Sequence, residues 1–481
     1  MIRRLAMTAI AVAAAVAAGA LPARAADLDV GMNGYYDVLE MEPAEQALAV
    51  ARMRDAGVGY VRIPASWSDI ETAQPDPAVA PDPTWPGYDW RTLDQAVTTI
   101  RNAGMQPLLV TNRAPPWAEG PGRPPVDGTV RAGSWRPSAA SLRRFARAVA
   151  RRYSGTLRVA GGATLPRVRY FQAWNEPNLP IDLSPQYERR SRALRAVAPA
   201  LYREVLNAFY AGVKSVAADN VVLTAATAPY GDYPAAGPYA RTPPVAFIRS
   251  LLCLKASGRP RRPRCKQPPR FDVLTFNAYP VTPFERVARP LDTGVNDAGK
   301  LVRTLRMAER ARTALPAKRH DVWLTEFGWG ANERHGWRPA SPARQGAYLT
   351  RTLYAAWRRN IRTALWWLFR DPPDSGSTFP GYSGLYARGP TVATDSPRQA
   401  LANFSFPFLA RREGHRTQVW GMAPTHDARV RIQTRRAEVW HTIATVRARG
   451  RVFTMTRRHL PRSGALRAVS NGRTSPPWRV R

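Results

Sequence analysis

The sequence predicts an α/β fold, a (β/α)8 TIM barrel followed by a small C-terminal all-β, sandwich-like domain. Three observations predict it. Apolar, strand-length runs alternate with amphipathic, helix-length runs eight times between residues 28 and 404. Two junctions share one pattern: Arg54-Asp55-Ala56-Gly57 precedes Tyr60-Val61-Arg62-Ile63, and Arg101-Asn102-Ala103-Gly104 precedes Pro107-Leu108-Leu109-Val110. After Phe408 the helical period gives way to short β-rich runs between turn residues.

Residues 1–25 read as a secretory signal. Arg3 and Arg4 form a positive start, Leu5–Leu21 is uncharged and Ala-rich, and Ala23-Arg24-Ala25 is a cleavage pattern that places the cut before Ala26. An uncleaved anchor is the competing reading, but the run is short and weakly apolar for a membrane span. No later stretch is long and apolar enough to add one, so no span is expected after cleavage. Eight strands are expected near 28–34, 58–64, 106–112, 167–175, 221–227, 271–278, 321–327 and 361–369. Helices are expected at 44–56, 91–103, 139–153, 197–217, 244–252, 297–314, 342–358 and 396–404. Gly57 and Gly104 suit the position just past a helix end, which needs positive φ. Short apolar strands between helices argue for a parallel sheet. A doubly wound open sheet is the alternative, but it wants a Gly-rich phosphate turn after an early strand, and none is present. The catalytic-size domain then spans 26–408 and the basic β-rich domain 409–481. In the latter, strands are expected at Thr417–Gly421, Arg429–Thr434, Val439–Val446, Val452–Thr456 and Leu466–Ser470.

Composition narrows function by exclusion. The 481 residues carry 71 Lys+Arg against 35 Asp+Glu, a formal charge of +36. That charge invites a nucleic-acid reading. Export and the lack of a helix-turn-helix, zinc-finger or RNA-recognition pattern argue against it, so no nucleic-acid partner is expected. The tail from Arg411 to Arg481 holds 17 Arg against Glu413, Asp427 and Glu438, a local charge of +14. It is a candidate contact for an anionic cell-envelope polymer, and a plain structural cap is equally open. Cys253 and Cys265 lie twelve apart. In an exported chain they are expected to form a disulfide, worth about 3 kcal/mol at most on the chain-entropy model. Two free thiols are the alternative. The six His include four in the tail, and only His335 could reach a barrel mouth. A serine triad or a multi-His zinc site therefore has almost no material, and no metal or cofactor is expected.

Two acidic residues stand out. The fourth strand, Val168–Ala173, runs into Trp174-Asn175-Glu176-Pro177-Asn178, and the seventh, Val322–Thr325, runs into Glu326-Phe327-Gly328-Trp329. In a barrel both strand ends face the same C-terminal mouth. A carboxylate there is partly desolvated, which costs energy unless it is paired or used. A salt bridge would explain either one alone. Two on separate strands suit glycoside hydrolysis, in which one carboxyl protonates the departing oxygen and the other attacks the anomeric carbon or activates water.

These residues resemble the motifs of the clan A retaining glycoside hydrolases, most closely families 5 and 39, across about residues 28–408. The resemblance implies Glu176 as acid/base, Glu326 as nucleophile and Asn175 as partner of the sugar 2-hydroxyl. It implies that Arg62 orients the nucleophile, that Tyr279 hydrogen-bonds it, and that Trp367 floors the sugar site. Pro116-Trp117-Ala118 resembles a substrate-loop motif of family 39, which makes Trp117 a substrate contact. One departure matters: the sixth strand reads Asn277-Ala278-Tyr279 where relatives carry His-x-Tyr. Asn277 can hydrogen-bond a sugar or carboxylate but cannot change charge near neutrality. Trp67, Trp117, Trp174, Trp329, Trp337, Trp366 and Trp367 supply aromatic faces near the mouth, although Trp366 and Trp367 point to opposite faces of their strand.

The expected function is a secreted or cell-wall-associated retaining glycosidase that cleaves a β-linked oligo- or polysaccharide. A non-catalytic glycan- or cell-wall-binding protein on the same barrel is the alternative. Glu176 should rest protonated, its pKa raised by burial and by Glu326.

Overall fold

Eight parallel strands close on themselves in the computed structural model, which describes residues 27–262, 265–279, 289–331, 340–373, 382–458 and 464–480. The expected leader at 1–25, with His335 and Trp337, lies outside the described residues. The strands are β1 (Asp29–Asn33), β2 (Tyr60–Pro64), β3 (Gln106–Thr111), β4 (Tyr170–Ala173), β5 (Val221–Leu223), β6 (Val273–Asn277), β7 (Asp321–Phe327) and β8 (Thr363–Trp366). Each pairs with its sequence neighbours, and β1 also pairs with β8, which closes the barrel. The helices between and after them are α1 (Pro43–Asp55), α2 (Arg91–Asn102), α3 (Ala139–Arg152), α4 (Ala198–Lys214), α5 (Pro244–Leu251), α6 (Gly299–Arg310), α7 (Pro342–Arg358) and α8 (Gln399–Ser405).

Local chemistry sets the helix ends. Ser138 and Ser341 accept hydrogen bonds from Ser141 N and Arg344 N, so each caps the start of its helix. Gly57 and Gly104 take φ of +89° and +78° just past α1 and α2, as the repeated pattern requires.

The lower lumen is plugged by side chains from alternating strand positions. Leu108, Leu223, Val273, Trp323 and Leu365 form one buried cluster, with Tyr60 and Tyr170 against it. Tyr60 sits edge-on to Tyr170 and Trp323, with centroids 5.2 Å and 5.0 Å away. This packed plug leaves only the upper end of the barrel for a site. Most of the remaining core lies between the strands and the helices around them.

The all-β region has two antiparallel sheets. One joins β9 (Phe408–Glu413), β10 (Arg416–Met422) and β13 (Val452–Arg458). The other is built on β11 (Arg429–Arg436), β12 (Val439–Arg447) and β14 (Ala465–Ser470), with two short edge strands at Arg473–Thr474 and Trp478–Arg479. Phe408, Val419, Val430, Ile432, Phe453 and Leu466 meet in a small core of their own. Trp420 instead faces the barrel, with its ring 5.5 Å from Tyr354 and 6.2 Å from Trp357 of α7.

Three departures from the expected elements have local causes. The first sheet begins with β9, whose Phe408 and Ala410 enter the small β core while Leu409 joins the barrel core; this burial on both faces, followed by Arg411-Arg412-Glu413, hides the period-2 pattern. A hairpin, Tyr187–Arg190 with Ala193–Ala196, is inserted between β4 and α4. Strand β5 stops at Leu223, and at Ala226 φ turns to +45°. Cys253 and Cys265 are joined by a disulfide. Among the described residues, no helix is long and apolar enough to cross a membrane.

Candidate active site

Glu326 owes its direction to an irregularity. Trp323 belongs to the lumen plug, so strict alternation along β7 would aim Thr325 inward and Glu326 outward. The register shifts on both sides of β7: Phe276 and Asn277 face Leu324 and Glu326, while Ala364 and Trp366 face Leu324 and Phe327. This β-bulge swaps the parity and turns Glu326 into the mouth. Thr325 is left fully buried, and its hydroxyl donates to Asn277 Oδ1 at 2.9 Å.

Two donors then hold the Glu326 carboxylate. Arg62 Nη1 donates to Oε1 at 2.7 Å, and the Tyr279 hydroxyl donates to Oε2 at 2.8 Å. The pair with Arg62 is dry, with each side chain 7% exposed. Arg62 is a hub rather than a simple counter-ion. Its Nε donates to Gln172 Oε1 at 2.9 Å, Nη1 also to Asn33 Oδ1 at 2.8 Å, and Nη2 to Asn175 Oδ1 at 2.7 Å. Asn33 in turn donates to the carbonyls of Thr325 and Trp366, both at 3.1 Å. One guanidinium fork thus ties β1, β2, β4 and β7 together at the level of the carboxylate.

Glu176 sits beyond the end of β4 on a strained turn. Trp174 and Glu176 have φ of +69° and +39°, values that bulky non-Gly residues rarely adopt. Each such position costs on the order of 1–3 kcal/mol and persists only when its surroundings enforce it. Here the buried Trp174 indole donates to Asp182 O at 2.7 Å, and Trp174 N to Thr111 O at 2.7 Å. Asn178, fully buried, grips Ala228 N and the carbonyls of Ala228 and Thr242. The part-buried Glu176 carboxyl accepts from Asn277 Nδ2 at 2.8 Å. Burial, then the charges of Glu326 and Asp182, push its pKa well above the ordinary carboxylate range, against smaller opposing effects of Asn277 and Arg62.

A cavity of about 300 Å³ opens above Glu326, lined by Asn33, Arg62, Asn175, Asp182, Glu326 and Trp367 among others, and Glu176 lies just outside that lining. Most of the residues singled out in the sequence therefore gather here: Arg62, Asn175, Tyr279 and Glu326 share one set of hydrogen bonds, Asn277 holds Glu176, Thr325 and Asn33 link the two sets, and Trp367 lies edge-on to Tyr279 at 6.4 Å. Trp117 packs edge-on against the buried Trp67 at 5.9 Å. Trp67, Trp174, Trp329 and Trp366 are fully buried, so they are core rather than open faces for a sugar. Among the described residues, no His, Cys, Asp and Glu cluster could hold a metal ion.

Asn33, Gln172 and Asp182 went unmarked in the sequence. Asn33 and Gln172 had a signal: a polar residue at the mouth end of an apolar strand needs a partner. Asp182 had none, because it stands on an irregular loop. Burial, with a smaller push from Glu326, raises its pKa to about 7, against the pull of Arg131 and Arg113. Those two exposed arginines also line the cavity, on loops joined by Ala114 N donating to Gly133 O at 3.0 Å.

No protein-family model matches the chain, and no curated protein matches it in sequence. Solved structures do match. A family 39 glycoside hydrolase from Bacteroides cellulosilyticus WH2 superposes with a TM-score of 0.55 at 16% identity, over 89% of this chain and 80% of that one. The chain has the barrel fold of clan A glycoside hydrolases. A glucosidase from Croceicoccus marinus reaches a TM-score of 0.49 at 14% identity, over 89% and 92% of the two chains. At these identities the clan A likeness is one of fold, and the reading of the site rests on its own chemistry.

Proposed function

We propose that this chain is an exported, retaining glycoside hydrolase that cleaves a β-linked glycan. The observation that carries the reading is the asymmetry of the two carboxyl groups in one mouth. Glu326 is gripped by a guanidinium and a phenol, while Glu176 is held toward its neutral form by burial and by negative neighbours. Two carboxyl groups held in such unlike surroundings suit acid and nucleophile roles.

The chemistry follows from those environments. Glu326 attacks the anomeric carbon as Glu176 gives its proton to the departing glycosidic oxygen. The C–O bond to the leaving sugar breaks, and a glycosyl ester forms on Glu326. That ester has lost the negative charge of Glu326, so one of the effects raising the Glu176 pKa disappears. Glu176 can then take a proton from water, which attacks the same carbon and releases Glu326. Asn175, fixed by Arg62, is placed to hydrogen-bond a sugar hydroxyl beside the reacting carbon. Asn277 steadies Glu176 without adding a charge of its own. The leader-like residues 1–25 and the Cys253–Cys265 disulfide support export. In this reading the unit at 409–481 is an accessory domain.

The test is turnover of purified protein on a panel of aryl β-glycosides and β-glucan, xylan and mannan, beside Glu326→Gln. We expect activity on at least one substrate, a loss of about a thousandfold or more in the variant, and a first-formed product that keeps the β configuration by NMR. Equal turnover by the two proteins would remove Glu326 as nucleophile. Glycan binding with no turnover on any substrate would favour a non-catalytic binding protein.

A further inference from the structure

Five arginines surround a second cavity, which shares no lining residue with the first and is built where the barrel meets the all-β region. It measures about 620 Å³ and is lined by Arg303 of α6, Arg351 and Arg358 of α7, Arg359 just past it, Arg411 of β9, and the rings of Tyr354 and Trp478. Among the described residues that line it there is no Asp or Glu. Lys and Arg make up 71 of 481 residues, about one in seven, whereas five of these twelve lining residues are Arg. General basicity of the chain therefore does not account for the cluster.

Several of the guanidiniums are set in place by neutral groups. Arg351 lies over the Trp478 ring with 5.0 Å to its centroid, and Arg358 over Tyr354 at 5.7 Å. Arg359 donates from Nε to Asn296 O and from Nη1 to Ala355 O, both at 3.1 Å. Arg411 carries an ion pair to Glu413 along its own strand. Arg303 and Arg358 are exposed at the cavity. Like charges gathered around one concavity repel unless an anion joins them. Planar, pre-oriented guanidinium forks match the oxygens of phosphate and carboxylate groups.

We infer that this junction is a second binding site, which takes a segment of an anionic glycan through oxyanion groups on its sugars. The volume lies within the range of pockets that hold small organic ligands, larger than one free ion needs. The Tyr354 and Trp478 rings each already carry a guanidinium on one face, which reduces the aromatic surface left for stacking nucleic-acid bases. That the oxyanions are borne on a saccharide rests on the glycosidase reading. The cavity would then hold an acidic polymer by one segment while another enters the mouth.

Isothermal titration calorimetry of the full mature protein in 0.15 M salt tests the site. The probes are a galacturonate hexamer, a glycerol-phosphate oligomer substituted with glucose, cellohexaose and a DNA hexamer. We expect one or both of the first two to bind, and cellohexaose and DNA not to. The double variant Arg303→Gln/Arg358→Gln should weaken that binding at least tenfold while turnover of an aryl β-glycoside is unchanged. The charge-matched control Arg436→Gln/Arg447→Gln, exposed on β11 and β12, should bind as the parent does. The uronate and phosphate arms tell the two oxyanion sources apart. The proposal is overturned if neither anionic glycan binds, if DNA binds as well as they do, or if the control loses as much affinity as the site variant. Loss of hydrolysis with binding intact would count against the glycosidase reading and not against this site.

Discussion

Asp182 is the residue whose role only its neighbours reveal. Its pKa is raised to about 7, and its charge is one of the effects that push the Glu176 pKa up. Below the ordinary range of an Asp, near pH 4, the group is neutral in folded and unfolded chains alike. Between about pH 4 and 7 the unfolded chain has released a proton that the folded chain still holds, so this residue's contribution to stability falls as pH rises. Two outcomes follow for Asp182→Asn. With Glu176 as the proposed acid, the alkaline limb of kcat/KM should move to lower pH. The decline of melting temperature between about pH 4 and 7 should become shallower. A pH–rate profile and a thermal scan series measure both, and an unmoved limb would show that Asp182 does not influence the acid.

At the scale of elements, the site depends on local departures from regular structure. The bulge in β7 aims Glu326, and the strained turn after β4 presents Glu176. Neither was legible in the sequence. Thr325-Glu326-Phe327 reads as an unbroken strand, and Trp174 and Glu176 carry no Gly or Asn to announce positive φ. The elements themselves were legible, because period-2 and period-3.6 apolar patterns are local properties of the chain. The packing of the ring around them makes its own demand. A Cβ added to Gly212 of α4 would lie 2.4 Å from Arg143 O of α3, so the two helices approach to backbone contact. Gly212→Ala gains up to about 1 kcal/mol in helix propensity, but overpacking costs about 1–3 kcal/mol. With the full propensity gain the net expectation is a loss of up to about 2 kcal/mol, read as a lower urea midpoint at unchanged slope. A gain in stability would mean that α3 and α4 can separate freely.

At the scale of the whole molecule, the all-β region is docked on the barrel partly by a buried cation. Arg451, 7% exposed, donates from Nε to Ala423 O at 2.9 Å and from Nη1 to Gly57 O at 3.0 Å, across the junction. Burial pulls its pKa down to about 10, so it remains charged at neutral pH. Arg451→Met would relieve that buried charge but leave two buried carbonyls without their donor, at about 1–3 kcal/mol each. We expect a net loss of about 2 kcal/mol in equilibrium unfolding. Equal or greater stability would mean that apolar packing around Trp420 carries the docking alone.

The sequence by itself determined the eight strand–helix units, the change of class near Phe408, the two strand-end glutamates and the paired cysteines. Each of these is written in local periodicity, in residue types at strand ends, or in a short spacing. Tertiary structure decided which side chains converge. It joined Asn33, Arg62, Gln172 and Asn175 into one network, placed Trp117 against Trp67, and raised Asp182 beside the mouth. It also divided the charge. The tail's +14 stood out in sequence, yet the arginine cavity at the junction draws four of its five from the barrel domain and one from the tail. Parity at a bulge, burial of a carboxyl and convergence across a junction are properties of distances through space, and no local pattern records them.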